Sequence, residues 1–442
     1  MQIIETYFKL KQNQTTVRTE ILAGITTFVA AMYIIVVNPA IVSATGIPFS
    51  AVLTGTVVLS AFCTIMMGLY ANNPILIAPG MGLNAFFTFF VVVGMKVPVE
   101  QALGALFWAG VIFFLLSVFN IRSYIVKAIP KQLRYAIAGG IGLFIAMIGF
   151  VNAKFIVVKE PFIGLGSFNL VSLIFIAGLI LTAILVVKKV KGAMIISMVI
   201  ITLLCLPIGR WFGDASLYNS GIKTLINYKG FIQMPDFSFF FQLDLLNSLK
   251  WALWPVIFAV IFTDMFDSIS TFVGVSEAAN LNDKNGEPRH IKQSLLVDAV
   301  ATGLAGVLGT TSGTAYIESA SGVAAGGRTG LTAIVAGILF IPFMFLSPLL
   351  SMIPSVATAP ILVMVGVYMM KPVLKIRWDK ISIAIPCFLA MVLIPLTYSI
   401  TQGIIWGLLF YTLTMLISGK YKEIGITLII INILSILLLF SQ

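Results

Sequence analysis

Trp251-Ala-Leu-Trp-Pro-Val-Ile-Phe-Ala-Val-Ile-Phe-Thr-Asp-Met-Phe-Asp-Ser-Ile-Ser-Thr-Phe-Val-Gly-Val275 is the stretch that decides the fold. As a helix it is long and apolar enough to cross about 30 Å of hydrocarbon. Yet it carries two carboxylates, Asp264 and Asp267, three residues apart. Charge at that depth is costly, and such residues usually line a substrate or ion path. A third carboxylate, Glu318, follows in Gly309-Thr-Thr-Ser-Gly-Thr-Ala-Tyr-Ile-Glu-Ser-Ala-Ser-Gly322. That stretch is too rich in Gly, Ser and Thr for an ordinary span. Acidic groups beside interrupted backbone predict the binding site of a transporter.

The pattern extends over the whole chain. Hydrophobic residues make up 60% of the 442 and charged ones 10%, where a soluble domain is nearer a quarter charged. Mean hydropathy is +1.08. The fold class is therefore an all-α polytopic membrane protein without a soluble domain. The net charge of +11 does not point to nucleic acid. Lys and Arg cluster in short loops, as they do on the cytoplasmic side of membrane proteins. Cys63, Cys205 and Cys387 lie in separate apolar runs and read as small core residues. The opening Met1-Gln-Ile-Ile-Glu-Thr-Tyr-Phe-Lys-Leu-Lys11 reads as a short amphipathic segment, not a cleavable signal. His290 is the only histidine and sits in a charged loop, so no His relay or metal site is expected. No phosphate loop, dinucleotide glycine pattern or hydrolase elbow occurs in a fitting context, so the chain does not read as an enzyme.

Apolar runs in the first half are 19–43, 50–69, 76–93, 101–119, 134–151, 170–187 and 193–211. Those in the second half are 247–275, 294–309, a broken run 310–328, 331–349, 356–370, 381–396, 402–418 and 424–440. This predicts about fourteen transmembrane segments as two inverted repeats of seven. The chain divides into a cytoplasmic segment 1–18, a first repeat 19–211, an outer loop 212–245, and a second repeat 246–442 with a surplus apolar run. Lys9, Lys11 and Arg18 precede the first run. Arg122, Lys127, Lys131 and Arg134 follow the fourth, Lys188, Lys189 and Lys191 the sixth, and Lys284, Arg289 and Lys292 the eighth. Lys371, Lys375 and Arg377 follow the twelfth, and Lys420 and Lys422 the fourteenth. These placements predict a cytoplasmic N-terminus in a plasma or inner membrane. Ala128-Ile-Pro, leading to Gly142, echoes Met352-Ile-Pro, leading to Gly366, one in each repeat.

The third run contains Asn72-Asn-Pro-Ile-Leu-Ile-Ala-Pro-Gly-Met-Gly-Leu-Asn-Ala-Phe-Phe87, where Pro74, Pro79, Gly80 and Gly82 disfavour continuous helix. The broken third and tenth spans occupy matching places in the two halves. Non-helical backbone in a membrane must be buried in protein or line a cavity. A helix starting after Gly80 would aim free N–H groups and its positive end inward, and one after Glu318 would do the same. On a helix Asp264, Asp267, Ser268 and Thr271 share a face. A protonated carboxyl both donates and accepts, and an ionised one only accepts. That switch suits proton-coupled uptake of a heterocycle with ring N–H donors and ring-nitrogen acceptors. Asp264 reads equally well as a packing residue. Asp298 reads as near the interface, and Arg328, between glycines, as snorkelling or capping.

At these motifs the chain resembles the AzgA-like purine permeases of the nucleobase–cation symporter-2 (xanthine/uracil permease) family. The likeness covers nearly the whole chain. It rests on Asn73 to Phe87, on Asp264-Met-Phe-Asp-Ser-Ile-Ser-Thr271, and on Gly309 to Leu331. It implies a core of spans 1–4 and 8–11 against a gate of spans 5–7 and 12–14, often as a homodimer. It implies proton-driven uptake of adenine, guanine or hypoxanthine. The family's acidic residues fall on Asp267 and Glu318, and its third-span asparagine on Asn84. Gly82, Thr271, Ala315 and Ser319, in the same motifs, complete the candidate substrate-binding set. Asp264 joins Asp267 and Glu318 as a candidate for proton coupling. Ser270 stands where the family usually has Gly, which leaves open the base transported. Beyond the proton motive force no cofactor is implied, with sodium kept as an alternative coupling ion. The implied partners are the base and the lipid bilayer, not nucleic acid. The runner-up readings are a xanthine/uracil, other small-heterocycle or anion transporter of the same fold. An anion carrier needs positive countercharge, whereas the charges here are acidic. A channel belongs to a third class, and an intramembrane enzyme would need His, Cys or Ser/Lys arrangements that are not visible.

Overall fold

The computed structural model describes residues 2–119, 129–159, 162–216, 222–226, 228, 230–279, 281–282 and 288–439. Arg122, Lys127, Ala128, Lys284 and Phe440 lie outside the described residues. Among the described residues eight helical segments are long and apolar enough to cross a membrane, and four apolar helices are shorter.

A short helix α1 (Gln2–Tyr7) precedes α2 (Val17–Ala31) and α3 (Ile34–Val42), one apolar run interrupted at Met32 and Tyr33. Helix α4 (Phe49–Met66) follows. The third run is strand β1 (Ile77–Pro79) leading into α5 (Met81–Ala85), which widens into a π-helical stretch, Phe86–Gly94. Then come α6 (Val99–Val118), α7 (Lys131–Asn152), a hairpin of β2 (Ile156–Lys159) and β3 (Phe162–Leu165), α8 (Leu170–Val187) and α9 (Ala193–Cys205). The second half holds α10 (Trp254–Ala279), α11 (Ile291–Val307), β4 (Gly313–Ala315), α12 (Ser319–Ala324), α13 (Gly330–Phe340) and α14 (Ser347–Leu350). It closes with α15 (Ser355–Met369), α16 (Ile381–Thr397), α17 (Ile400–Ile417) and α18 (Ile426–Leu439).

Local chemistry sets these boundaries. Pro98, Pro130 and Pro354 stand immediately before α6, α7 and α15, where a missing N–H costs nothing. Asn169 and Thr329 cap α8 and α13 with side-chain oxygens. Three runs differ from expectation. The run 193–211 stops as a helix at Cys205 because Pro207 cannot continue it. The run 331–349 stops at Phe340, and Pro342 and Pro348 lie in the tight turn and short helix beyond. Helix α10 begins only at Trp254, since Asn247–Leu249 and Trp251–Leu253 wind as 3-10 turns. The β2–β3 hairpin was not expected. Its first strand is β-branched at Ile156, Val157 and Val158, which favours extended backbone.

The long helices pack in two sets. Helices α2, α3, α4, α6, α10, α11, α12 and α13 form one, and α7, α8, α9, α15, α16, α17 and α18 the other. Each set takes helices from both halves of the sequence. The sets meet chiefly where α5 and α10 touch α7, α10 touches α17, α2 touches α9, and α3 touches α15. Glycines set the closest crossings. A Cβ on Gly142 of α7 would lie 2.8 Å from the Gly366 carbonyl oxygen, and one on Gly366 of α15 would lie 2.5 Å from that of Gly142. These are the glycines that close the two Ile-Pro motifs, so matching positions of the two halves touch each other.

Residues 233–248 stitch together the ends of the first set. Gln233 N donates to Phe345 O at 2.9 Å, Phe241 N to Val307 O at 2.7 Å, and Asp244 N to Glu100 O at 2.9 Å. Ser50 Oγ donates to Asp236 Oδ2 at 2.6 Å, while Asp236 N donates to Thr54 Oγ1 at 3.0 Å. Elsewhere in this set buried Glu20 accepts from the Arg328 N–H at 2.9 Å and from Thr332 Oγ1 at 2.6 Å, a carboxylate placed at the N-terminal end of α13. Arg328 itself caps: Nη1 donates to Val323 O and Gly327 O, both at 2.7 Å.

Candidate functional site

The two interrupted segments meet as an antiparallel pair. Ile77 faces Ala315, Ala78 faces Thr314, and Pro79 faces Gly313. Gly80 N donates to Ser312 O, and Tyr316 N to Leu76 O, each at 2.9 Å. Thr64 of α4 serves Ile77 on both sides, donating to its oxygen at 2.9 Å and accepting from its nitrogen at 3.0 Å. Backbone that cannot be helical is thus satisfied by its counterpart and by side chains, as a low-dielectric setting demands. In α5 the first bonded N–H is that of Asn84, to Gly80 O at 2.9 Å, so Met81, Gly82 and Leu83 precede the ladder.

Asp267 on α10 and Glu318, directly before α12, are half-buried and lie within electrostatic reach of each other. The acidic groups expected at the site therefore come together. Tyr33 Oη donates to Glu318 Oε1 at 2.6 Å. Tyr316 stands close to both carboxylates and donates its hydroxyl to Pro79 O at 2.5 Å. Tyr368, on α15 of the other set, is within electrostatic reach of Glu318. Thr271 is buried one turn beyond Asp267.

Most of the other expected residues have structural bonds. Asp264 is fully enclosed and accepts from Thr302 Oγ1 and from Ser312 Oγ, the latter at 3.2 Å. Asp298, expected near the interface, is fully enclosed instead and accepts from Ser268 Oγ at 2.6 Å. Ser268 Oγ lies 2.7 Å from Thr314 Oγ1 and accepts from Ala315 N at 3.4 Å. The helices α10 and α11 are thereby tied to β4. Ser319 Oγ accepts from Leu76 N at 3.0 Å and joins the two broken segments. Asn84 is fully enclosed, and its Nδ2 donates to Asn38 Oδ1 at 3.1 Å. Asn38 in turn donates to Thr56 at 2.8 Å and Thr310 at 3.0 Å, and accepts from Thr311 at 3.0 Å. Gly82 is buried, and a Cβ there would lie 2.5 Å from Ile141 Cγ2 on α7. Ser270 is exposed.

Sequence reasoning missed Tyr33, Asn38, Thr302 and Ser312. The signal for Asn38 was a polar residue before Pro39 within the first apolar run. Tyr33 carried none, because an aromatic in such a run ordinarily reads as packing. Among the described residues no group of three or more His, Cys, Asp or Glu gathers as a metal site.

The Permease family (Xan_ur_permease) matches residues 18–406. The adenine permease AdeP of Escherichia coli (strain K12) is 39% identical over 98% of this chain and 95% of its own length. The guanine/hypoxanthine permease PbuO of Bacillus subtilis (strain 168) is 38% identical over 98% of this chain and 99% of its own. Among solved structures the transmembrane domain of a cyanobacterium bicarbonate transporter, BicA, superposes with a TM-score of 0.62 at 17% identity, over 87% of this chain and 97% of that domain. That likeness is one of fold.

Proposed function

We propose, from the premise that the chain belongs to the Permease family, that it carries purine nucleobases across the membrane as a secondary transporter. It is a multi-pass membrane permease and not an enzyme. The observation that carries the reading is the pairing of two interrupted segments beside two half-buried carboxylates, Asp267 and Glu318. A planar base offers ring N–H donors to such carboxylates and ring-nitrogen acceptors to backbone N–H groups before the α5 ladder. The names of the relatives, adenine and guanine/hypoxanthine permeases, support the purine class.

In this reading Glu318 binds the base and Asp267 links it to a proton, with sodium as the alternative ion. Asn84, Gly82, Thr271, Ala315 and Ser319 support the pocket, Asn84 by holding α5 to α3. Asp264 becomes a brace for Thr302 and Ser312. The first helix set moves as a core against the second as a gate, with the N-terminus cytoplasmic and two copies paired. The touching glycines Gly142 and Gly366 support an inverted repeat of about fourteen spans, since on a two-fold axis a position meets its own equivalent. The acidic character of the site disfavours an anion cargo.

The test is uptake into proteoliposomes of labelled adenine and labelled hypoxanthine, competed by unlabelled purines, pyrimidines and bicarbonate. Saturable uptake that purines block and an inward proton gradient drives is the expected result. Competition by bicarbonate alone, or non-saturating flux, would sink the reading.

A further inference from the structure

The Glu318 carboxylate is half-buried, and beside it stands a buried tyrosine. Tyr33 is 1% exposed. Its hydroxyl donates to Glu318 Oε1 at 2.6 Å, the one side-chain hydrogen bond to that carboxylate among the described residues. The neighbouring phenol cannot substitute for it, because Tyr316 is committed to Pro79 O at 2.5 Å. A buried phenol requires a partner, and a phenylalanine would fill the same space without one. The placement of Tyr33 is also specific. It occupies the interruption between α2 and α3, immediately before Ile34. Helix α2 packs on α12, the helix that starts just after Glu318, and does so closely: a Cβ on Gly322 would lie 2.6 Å from Ala23 O. Donor and acceptor therefore sit on elements already packed together.

We infer that Tyr33 is a positioning residue: its hydroxyl occupies one oxygen of Glu318 and so orients the other toward the base. The inference rests on the reading of Glu318 as the group that binds substrate. An oriented carboxylate binds more tightly because less freedom is lost on binding, and it discriminates better because its lone pairs point one way. Without the hydroxyl the carboxylate turns freely, loses affinity, and treats unlike bases more alike. In this role Tyr33 acts through Glu318.

The test uses the full-length protein in proteoliposomes with labelled adenine and labelled hypoxanthine, and three variants: Tyr33→Phe, Glu318→Gln and both together. Tyr33→Phe should raise KM about tenfold, the scale of a lost hydrogen bond to a charged group. Maximal rate per transporter should stay near wild type, and the ranking of competing purines should flatten. Glu318→Gln should raise KM and change the ranking by itself. The double variant should then be no worse than Glu318→Gln, since a residue acting through another adds nothing once that other is altered. KM does not depend on the amount of protein, so a lower yield leaves the result readable. Unchanged KM and ranking in Tyr33→Phe, with Glu318→Gln impaired, would overturn the inference and leave Tyr33 a packing residue. Multiplying effects in the double variant would overturn it too. Wild-type behaviour of Glu318→Gln would instead remove Glu318 from the binding site, and this inference with it.

Discussion

Asp264 and Asp267 share a helix face in the sequence, yet their surroundings differ, because one is enclosed by hydroxyls and the other is half-buried. Asp264 holds Thr302 and Ser312, whereas Asp267 is half-buried beside Glu318. Asp267→Asn, a permanent mimic of the protonated acid, should retain counterflow exchange of labelled base but lose accumulation driven by a pH gradient. Continued uphill accumulation would move proton coupling to another group. Asp264→Ala should instead leave KM unchanged and destabilise the fold by about 1–3 kcal/mol, since Thr302 and Ser312 lose their bonds to a buried carboxylate and keep only those to Asp298 O and to each other. A melting curve in detergent reads that loss, and an unshifted melt with altered KM would reverse the assignment. Carboxylates in apolar surroundings were legible from composition alone. Which of them is walled in was not, because the walls come from α11 and the residue before β4, distant in the chain.

One crossing sets how far the helices can approach, and one segment ties helix ends together. The α7–α15 crossing has no room for a side chain at either glycine. Gly142→Val should cost about 1–3 kcal/mol through overpacking, visible as a lower melting temperature, and an unchanged melt would mean that the crossing yields freely. The 233–248 segment depends on Asp236. Burial pushes this carboxyl up, but hydrogen bonds from Ser50 and Ser238 outweigh it and hold it below the usual carboxylate range. A depressed pKa contributes stability above the unfolded value, and that stability disappears as pH falls through the folded value. Acidification below about pH 4 should therefore loosen the segment and speed proteolysis within 233–248. Asp236→Asn should be cleaved faster at neutral pH and show a smaller pH effect; equal cleavage of wild type at both pH values would discard the clasp. The prolines and glycines that interrupt the third and tenth runs were readable in the sequence. Their pairing as β1 and β4 was not, because strands of three residues carry no periodicity.

At the scale of the molecule, the two helix sets touch at α5, where Gly82 leaves room for Ile141 of α7. If one set moves against the other, this contact must slide. Gly82→Val should reach the membrane in normal amount but transport poorly, and Ile141→Ala in the same chain should restore uptake by returning the space. Failure of that second change to rescue would place the defect of Gly82→Val within the first set.

Hydropathy and composition alone pointed to a mostly helical multi-pass membrane protein, because a bilayer leaves a chain few options; the two short strand pairs were not legible there. The motifs around Asn84, Asp267 and Glu318 pointed to the Permease family, and the family match bears that out. Only the tertiary structure separated the half-buried carboxylates from the enclosed ones that bind hydroxyls, enclosed Asn84 against Asn38, and brought Tyr33 to Glu318 across the chain. The physical reason is range. Transfer into lipid is decided residue by residue along the chain, whereas a buried hydrogen bond is decided by partners that only folding brings together.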